Sequence, residues 1–227
     1  MTRTATARVA GFTYLFYMAV GAANELVMDR ATRAEGTAAT LARVARHGSD
    51  LRLSIVLTLL ECLSALVLAV TLYGITRVRD HELAMLGLVC RVAEGVIGSS
   101  GIPRNLGLLW LADAGTGAGG LGAATTSSVG AVLLLPGGPF GAVFFAVGSA
   151  VFSWLLLRGR MVPAWLAGLG LASSVLLVVG LPLQLAGILA GPATGYQWAP
   201  AMVFAALLGS WLLVRGVAPP AGDAARN

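Results

Sequence analysis

Leu53-Ser-Ile-Val-Leu-Thr-Leu-Leu-Glu-Cys-Leu-Ser-Ala-Leu-Val-Leu-Ala-Val-Thr-Leu-Tyr73 carries a single charge, Glu61, over 21 residues. A hydrocarbon core about 30 Å thick is crossed by about 20 predominantly apolar residues at 1.5 Å rise each, so this stretch is long enough to span a bilayer. Lipid offers the backbone no partner, which leaves two solutions, a helix or a closed barrel. Barrel strands alternate apolar and polar residues over short segments, and the continuous run Ser54-Ile-Val-Leu-Thr-Leu-Leu60 does not. The stretch is a membrane helix.

Working outward, five more runs of the same kind are found: Val9 to Val27, Leu83 to Pro103, Phe140 to Leu157, Pro163 to Leu183 and Trp198 to Val214. The composition agrees. Of 227 residues 57% are hydrophobic and 11% charged, the mean hydropathy is +0.84, and about a quarter charged is usual for a soluble domain. A soluble enzyme, a disordered chain and a nucleic-acid-binding domain are excluded. The net charge of +5 comes from 15 arginines scattered singly, with no lysine, so it reads as an orienting charge and not as a polyanion site. The expected fold class is all-α: a polytopic transmembrane bundle of about six spans, with residues 1–227 forming one integral membrane domain.

Arginine placement sets the orientation. Arg3 and Arg8, Arg77 and Arg79, Arg158 and Arg160, and Arg215 and Arg226 fall on one side, whereas loops three and five hold only Arg104. Loop one, residues 28–52, is mixed, its Arg30, Arg33, Arg43, Arg46 and Arg52 being partly offset by Asp29, Glu35 and Asp50. Both termini are therefore expected in the cytoplasm. Arg3, Arg8 and the small run Val20-Gly-Ala-Ala23 also fit a signal peptide, but the apolar run continues through Leu26-Val27, and retention is expected.

Two connections carry a signal of their own. Thr37 to Gly48 is expected to form a short interfacial helix, with Leu41, Val44 and Ala45 on one face and Arg43, Arg46 and His47 elsewhere. Asp113 to Gly130, rich in Gly, Ser and Thr, is expected to be a flexible loop. The apolar piece Ala131 to Pro139 that follows reads either as a re-entrant half-helix or as a kinked outer turn of span four.

The charges inside the spans are four: Glu25, Glu61, Arg91 and Glu94. On span three, Arg91, Glu94, Gly98, Gly101 and Asn105 follow helical spacing down one side. On span two, Ser54, Thr58, Glu61 and Ala65 do the same with Ser64 on the flank, and span one adds Tyr14, Tyr17, Gly21 and Glu25. At 1.5 Å per residue from the cytoplasmic ends, Glu61 lies about 18 Å in, Arg91 about 12 Å, Glu94 about 16 Å and Glu25 about 24 Å. Arg91 is expected to reach Glu61 across the helix interface, with Glu94 one turn along, since an uncompensated arginine at a helix centre costs about 2.5–3.5 kcal/mol. Two carboxylates beside one arginine lead us to expect a proton on Glu61 or Glu94 at neutral pH. The cluster of Glu61, Arg91, Glu94 and Glu25, with a secondary seam of Tyr14, Tyr17, Thr58, Ser64 and Asn105, either locks the helices or handles a ligand, proton or ion.

Catalysis has less support. His47 and His81 lie in loops, and no HExxH, paired-aspartate or CxxC pattern occurs, so no enzyme, metal or cofactor is expected. Cys62 and Cys90 read as small packing residues. The expected partners are the lipid bilayer and a small lipophilic ligand or ion, with no nucleic acid.

Several stretches taken together resemble a known family. They are Ala7-Arg-Val-Ala-Gly-Phe-Thr-Tyr14, Leu59-Leu-Glu61-Cys-Leu, Cys90-Arg91-Val-Ala-Glu94-Gly, Phe144-Phe-Ala-Val-Gly through Trp154-Leu-Leu-Leu-Arg158, Val162-Pro163-Ala-Trp165-Leu-Ala-Gly168 and Trp211-Leu-Leu-Val-Arg-Gly216. In order and spacing they resemble the bacterial multi-pass family of domain of unknown function 4386. The resemblance implies six retained spans in a bacterial cell membrane and assigns no activity. The family commonly carries an acidic residue about six positions before the final tryptophan; Ala205 stands there in this chain. The leading functional expectation is a structural or accessory protein, or one binding a small lipophilic ligand at the seam. The alternative is a proton- or ion-coupled transporter using Glu61, Arg91 and Glu94.

Overall fold

The computed structural model describes residues 2–116, 122–134, 139–191 and 193–218. Among them every regular element is helical: α1 Arg3–Thr32, α2 Thr37–Arg46, α3 Gly48–Thr76, α4 His81–Gly98, α5 Gly101–Thr116, α6 Ala123–Leu133, α7 Phe140–Arg158, α8 Ala164–Leu185, α9 Ala193–Tyr196 and α10 Ala199–Val214. The chain is an all-α polytopic protein. Five helical segments are long and apolar enough to cross a membrane: Gly48–Thr76, His81–Ala114, Phe140–Arg158, Ala164–Leu185 and Thr194–Val214. They contain the second to sixth expected spans, except that Pro163 caps Ala164–Leu185 from one residue outside it. The first expected span lies within α1, whose 30 residues give ample length, but Tyr14, Tyr17, Asn24 and Glu25 reduce its apolar character below that of the other five.

Large apolar side chains point outward along these segments, among them Phe12, Leu63, Val70, Val89, Trp110, Val179 and Val203. That is the surface of a helix solvated by hydrocarbon.

The chain divides into two compact units. One comprises Met1–Met18, Cys62–Ile97 and Gly138–Asn227. Its core joins Ala7, Ala10 and Tyr14 of α1 to Leu68 and Leu72 of α3, Phe152 and Leu156 of α7, Leu166 of α8, and Phe204, Leu208 and Leu212 of α10. Small residues set the helix spacing here. A Cβ placed on Gly11 would overlap the backbone of Leu213 and Gly209, so α1 and α10 touch main chain to main chain, as glycine permits. Gly216, at φ 70°, closes α10 with its N–H on the Leu212 carbonyl, a left-handed cap that glycine adopts without strain. Ala205, where the family resemblance leads one to expect an acidic residue, is buried in this core.

The other unit comprises Ala19–Glu61 and Gly98–Gly137. Ala31, Leu41, Val44, Leu51, Leu108, Leu111 and Ala112 form its core. The expected short helix exists as α2, and Thr40, Leu41 and Val44 are its buried face, whereas Ala45, expected there, is exposed. The stretch expected as a loop from Asp113 to Gly130 is largely helical: α5 runs to Thr116 and α6 starts at Ala123. Gly130 lets α6 approach, since a Cβ there would lie 2.7 Å from Leu41 Cδ1 and 3.0 Å from Thr37 Cγ2. Packing on α2 and α5 outweighs the weak helix propensity of Ser, Thr and Gly. Ala131–Leu133 is the last turn of α6, not an outer turn of the span-four helix; residues 135–138, part of the double-proline segment, lie outside the described residues.

Candidate functional site

The sequence places Arg91 and Glu94 one helical turn apart on α4, and in the first unit they form an ion pair, Arg91 Nη1 to Glu94 Oε2 at 2.6 Å. Tyr17 of α1 donates its hydroxyl to the other carboxylate oxygen, Oε1, at 2.9 Å. The guanidinium carbon lies 4.8 Å from the centre of the Phe145 ring of α7 and 5.7 Å from that of Tyr17. Two aromatic faces thus balance part of the positive charge without offering hydrogen-bond acceptors.

Glycines make this close approach of α7 to α4 possible. A Cβ on Gly148 would sit 3.1 Å from Arg91 Cγ and 3.2 Å from Cys90 Cβ, and one on Gly87 would sit 2.9 Å from the Phe152 ring. Burial is nearly complete: Arg91 is 1% exposed and Glu94 8%. Arg91 Nε and Nη2 have no hydrogen-bond partner among the described residues.

A second polar network occupies the other unit, with Asn24 of α1 at its hub. Asn24 Nδ2 donates to Thr58 Oγ1 at 3.1 Å and to Glu61 Oε2 at 3.0 Å, while its carbonyl oxygen accepts from Ser54 Oγ at 2.6 Å. Asn105 of α5 donates to Ser54 Oγ at 3.4 Å. Gly21 faces Glu61 so closely that a Cβ there would be 2.8 Å from Oε1. Nearly every lone pair and proton of the hub is used, which is what a clamp between helices requires.

The expected cluster is therefore distributed differently. Arg91, Glu94 and Tyr17 come together, and the ion pair of Arg91 is with Glu94 on its own helix, whereas the expectation put Glu61 opposite it. Glu61, Thr58 and Asn105 belong to the Asn24 network. Tyr14 is 3% exposed, its ring in the apolar core and its hydroxyl beside Ser149 and within electrostatic reach of Arg91 and Glu94, and Ser64 is buried. Glu25 is exposed and makes no part of either network; Asn24, one residue earlier and about 100° around the helix, holds the inward position. The span-three stripe is interrupted at Ser99-Ser100, between α4 and α5.

Spans four to six also carry groups that meet polar partners. Phe145 lies against the Arg91 guanidinium, Ser149 pairs with the Tyr14 hydroxyl, and Gln197 donates to Gln184 at 2.9 Å. Asn24 was legible as a strongly polar residue seven positions after Tyr17. Phe145 gave no signal, since a phenylalanine in an apolar run reads as lipid-facing or core. No group of three His, Cys, Asp or Glu placed to hold a metal occurs among the described residues.

The two locations of Glu25 and Asn24 make a direct comparison. Asn24→Ala should lose about 1–3 kcal/mol by removing the bonds to Ser54, Thr58 and Glu61, and Glu25→Gln should stay within about 0.5 kcal/mol. Thermal unfolding in detergent reads both; the reverse ranking overturns the assignment of Asn24 as hub.

Buried polar networks inside helices clad in apolar side chains define a polytopic helical membrane protein. Residues 9–216 match the family described as a domain of unknown function (DUF4386). The chain belongs to that family. No curated protein and no solved structure matches it.

Proposed function

We propose that this protein binds a small lipophilic ligand in the membrane, at the Arg91 site of the first unit. One observation carries the reading: a guanidinium 1% exposed uses one corner on Glu94 and leaves Nε and Nη2 without partners among the described residues. A buried arginine kept only as a lock is expected to have its donors satisfied, because each unmet one costs about 1–3 kcal/mol or more. The Asn24 side chain is satisfied in that way, donating from Nδ2 to Thr58 and Glu61 and accepting at its oxygen from Ser54, whereas the Asn105 carbonyl oxygen of the same network has no partner among the described residues. The unused edge of Arg91 is suited instead to an acceptor that comes and goes.

The reading is one of binding and not of catalysis, with no cofactor and no nucleic-acid partner. It places the protein in a bacterial cell membrane with both termini cytoplasmic, supported by Arg77, Arg79, Arg158, Arg160 and Arg215 in the connections and tail of one side. An accessory role, in which the polar residues hold helices in register, is compatible with it. The second reading is proton- or ion-coupled transport through Glu61, Arg91 and Glu94, favoured by the occurrence of two carboxylates inside apolar helices.

Native mass spectrometry of protein released from mild detergent separates these readings from one another. The expected result is a small-molecule adduct on the wild-type chain that Arg91→Lys loses. Bare wild-type protein, together with dye-reported proton flux in liposomes that Glu61→Gln abolishes, would overturn binding in favour of transport.

A further inference from the structure

We infer that the ligand's polar end is a carboxylic acid, held in bidentate fashion by the Nε–Nη2 edge of Arg91; this rests on the binding reading above. Nη1 is taken by Glu94 at 2.6 Å. The rings of Phe145, at 4.8 Å, and Tyr17, at 5.7 Å, contribute charge stabilisation but no acceptor lone pairs. What is left is the Nε–Nη2 edge, two parallel N–H donors whose spacing matches the two oxygens of a planar carboxyl group.

Charge distinguishes the carboxyl group from a dianionic phosphate head. Arg91 and Glu94 are neutral as a pair, so a dianionic phosphate would leave two surplus negative charges inside low-dielectric surroundings. A carboxylic acid enters hydrocarbon as the neutral acid. Once there, its proton passes to a Glu94 oxygen, which leaves a carboxylate with two acceptor oxygens on the Nε–Nη2 edge, and the ligand, Arg91 and Glu94 sum to zero. Two carboxyl groups then share one proton beside one guanidinium. Phe145 and Tyr17 are only half-buried, which sets apolar ring surface beside the acid for its tail to follow. The class of ligand is a lipophilic monocarboxylic acid arriving from the membrane phase.

The test uses the full chain in lipid nanodiscs, with palmitic acid carrying a 13C carboxyl as the probe, and methyl palmitate, hexadecanol and acetate as competitors. Palmitic acid is expected to bind about tenfold to a hundredfold more tightly than its ester or alcohol, the ratio that one charge-assisted bidentate contact supplies. The 13C carboxyl resonance should shift on binding to wild type. Arg91→Lys keeps the positive charge for Glu94 but has no planar edge, and should lose the same factor together with that shift. Ester and alcohol binding as tightly as the acid would overturn the head-group assignment while leaving ligand binding intact. Acetate competing as well as palmitic acid would overturn the lipophilic assignment. Failure of all the long-chain probes to bind wild type would bring down the binding reading and this one together. Should Arg91→Lys not fold, the wild-type comparison of acid with ester still decides.

Discussion

Gly11→Val should lower the unfolding midpoint of the purified protein by about 6–12 °C, from a cost of about 3 kcal/mol at about 2–4 °C per kcal/mol for a chain of this size. The cause is the kind of atom that a new side chain meets. A Cβ on Gly11 would run into Leu213 N, Gly209 O and Leu212 C, all of them main chain, and main chain inside a helix has no rotamer by which to retreat. Gly209, on the facing helix, is less strict, because a Cβ there would meet Leu15 side-chain carbons at 3.0 Å and these can swing away. Gly168 supplies the control, as nothing lies within 4 Å of the Cβ it would carry. Gly168→Ala should leave the midpoint unchanged or slightly raised, by removing a mid-helix glycine worth about 0.5–1 kcal/mol. Equal midpoints for Gly11→Val and wild type would show that α1 and α10 do not meet backbone to backbone.

Glu94→Ala should cost about 3–5 kcal/mol, and the double substitution Arg91→Met with Glu94→Ala should recover most of that loss. Removing the carboxylate leaves a guanidinium 1% exposed with no counter-charge and takes the acceptor from the Tyr17 hydroxyl as well. Removing both ions replaces the pair with apolar volume of roughly the same reach. Chemical unfolding in detergent gives the four corners of the cycle, and a coupling near zero would mean that Arg91 and Glu94 do not depend on each other. The recovery also separates stability from binding: the double variant should fold and yet carry no ligand.

Most of the fold was legible because hydrophobic length is a strong signal. Runs such as Leu53 to Tyr73 and Phe140 to Leu157 recur within α3 and α7 with ends differing by a few residues. The weaker signals failed for identifiable reasons. Glycine, serine and threonine between residues 113 and 130 have poor intrinsic helix propensity, and only contact with α2 and α5 makes α6 a helix. Glu25 was read as inward because offsets of three, four and seven leave room for an error of one residue, and one residue is 100° of rotation. The Arg91–Glu94 pairing was half visible, both partners being named but Glu61 being set opposite the arginine. Phe145 was invisible, because a ring against a guanidinium is settled by which helices pack together and by the glycines that let them, not by any spacing along one helix.

The contact between Gly11 and Leu213 joins α1 to α10, the first and last helices among the described residues. During synthesis α1 emerges long before α10, so Ala7, Ala10 and Tyr14 await Leu208 and Leu212 until nearly the whole chain has been made. No amino-terminal fragment contains the complete core of the first unit, and its final assembly step comes after insertion of the last span. A nascent chain that stalls before Trp198 is therefore missing one whole wall of the packing around α1, and quality control in the membrane meets it as an unfinished protein, not as a shortened one.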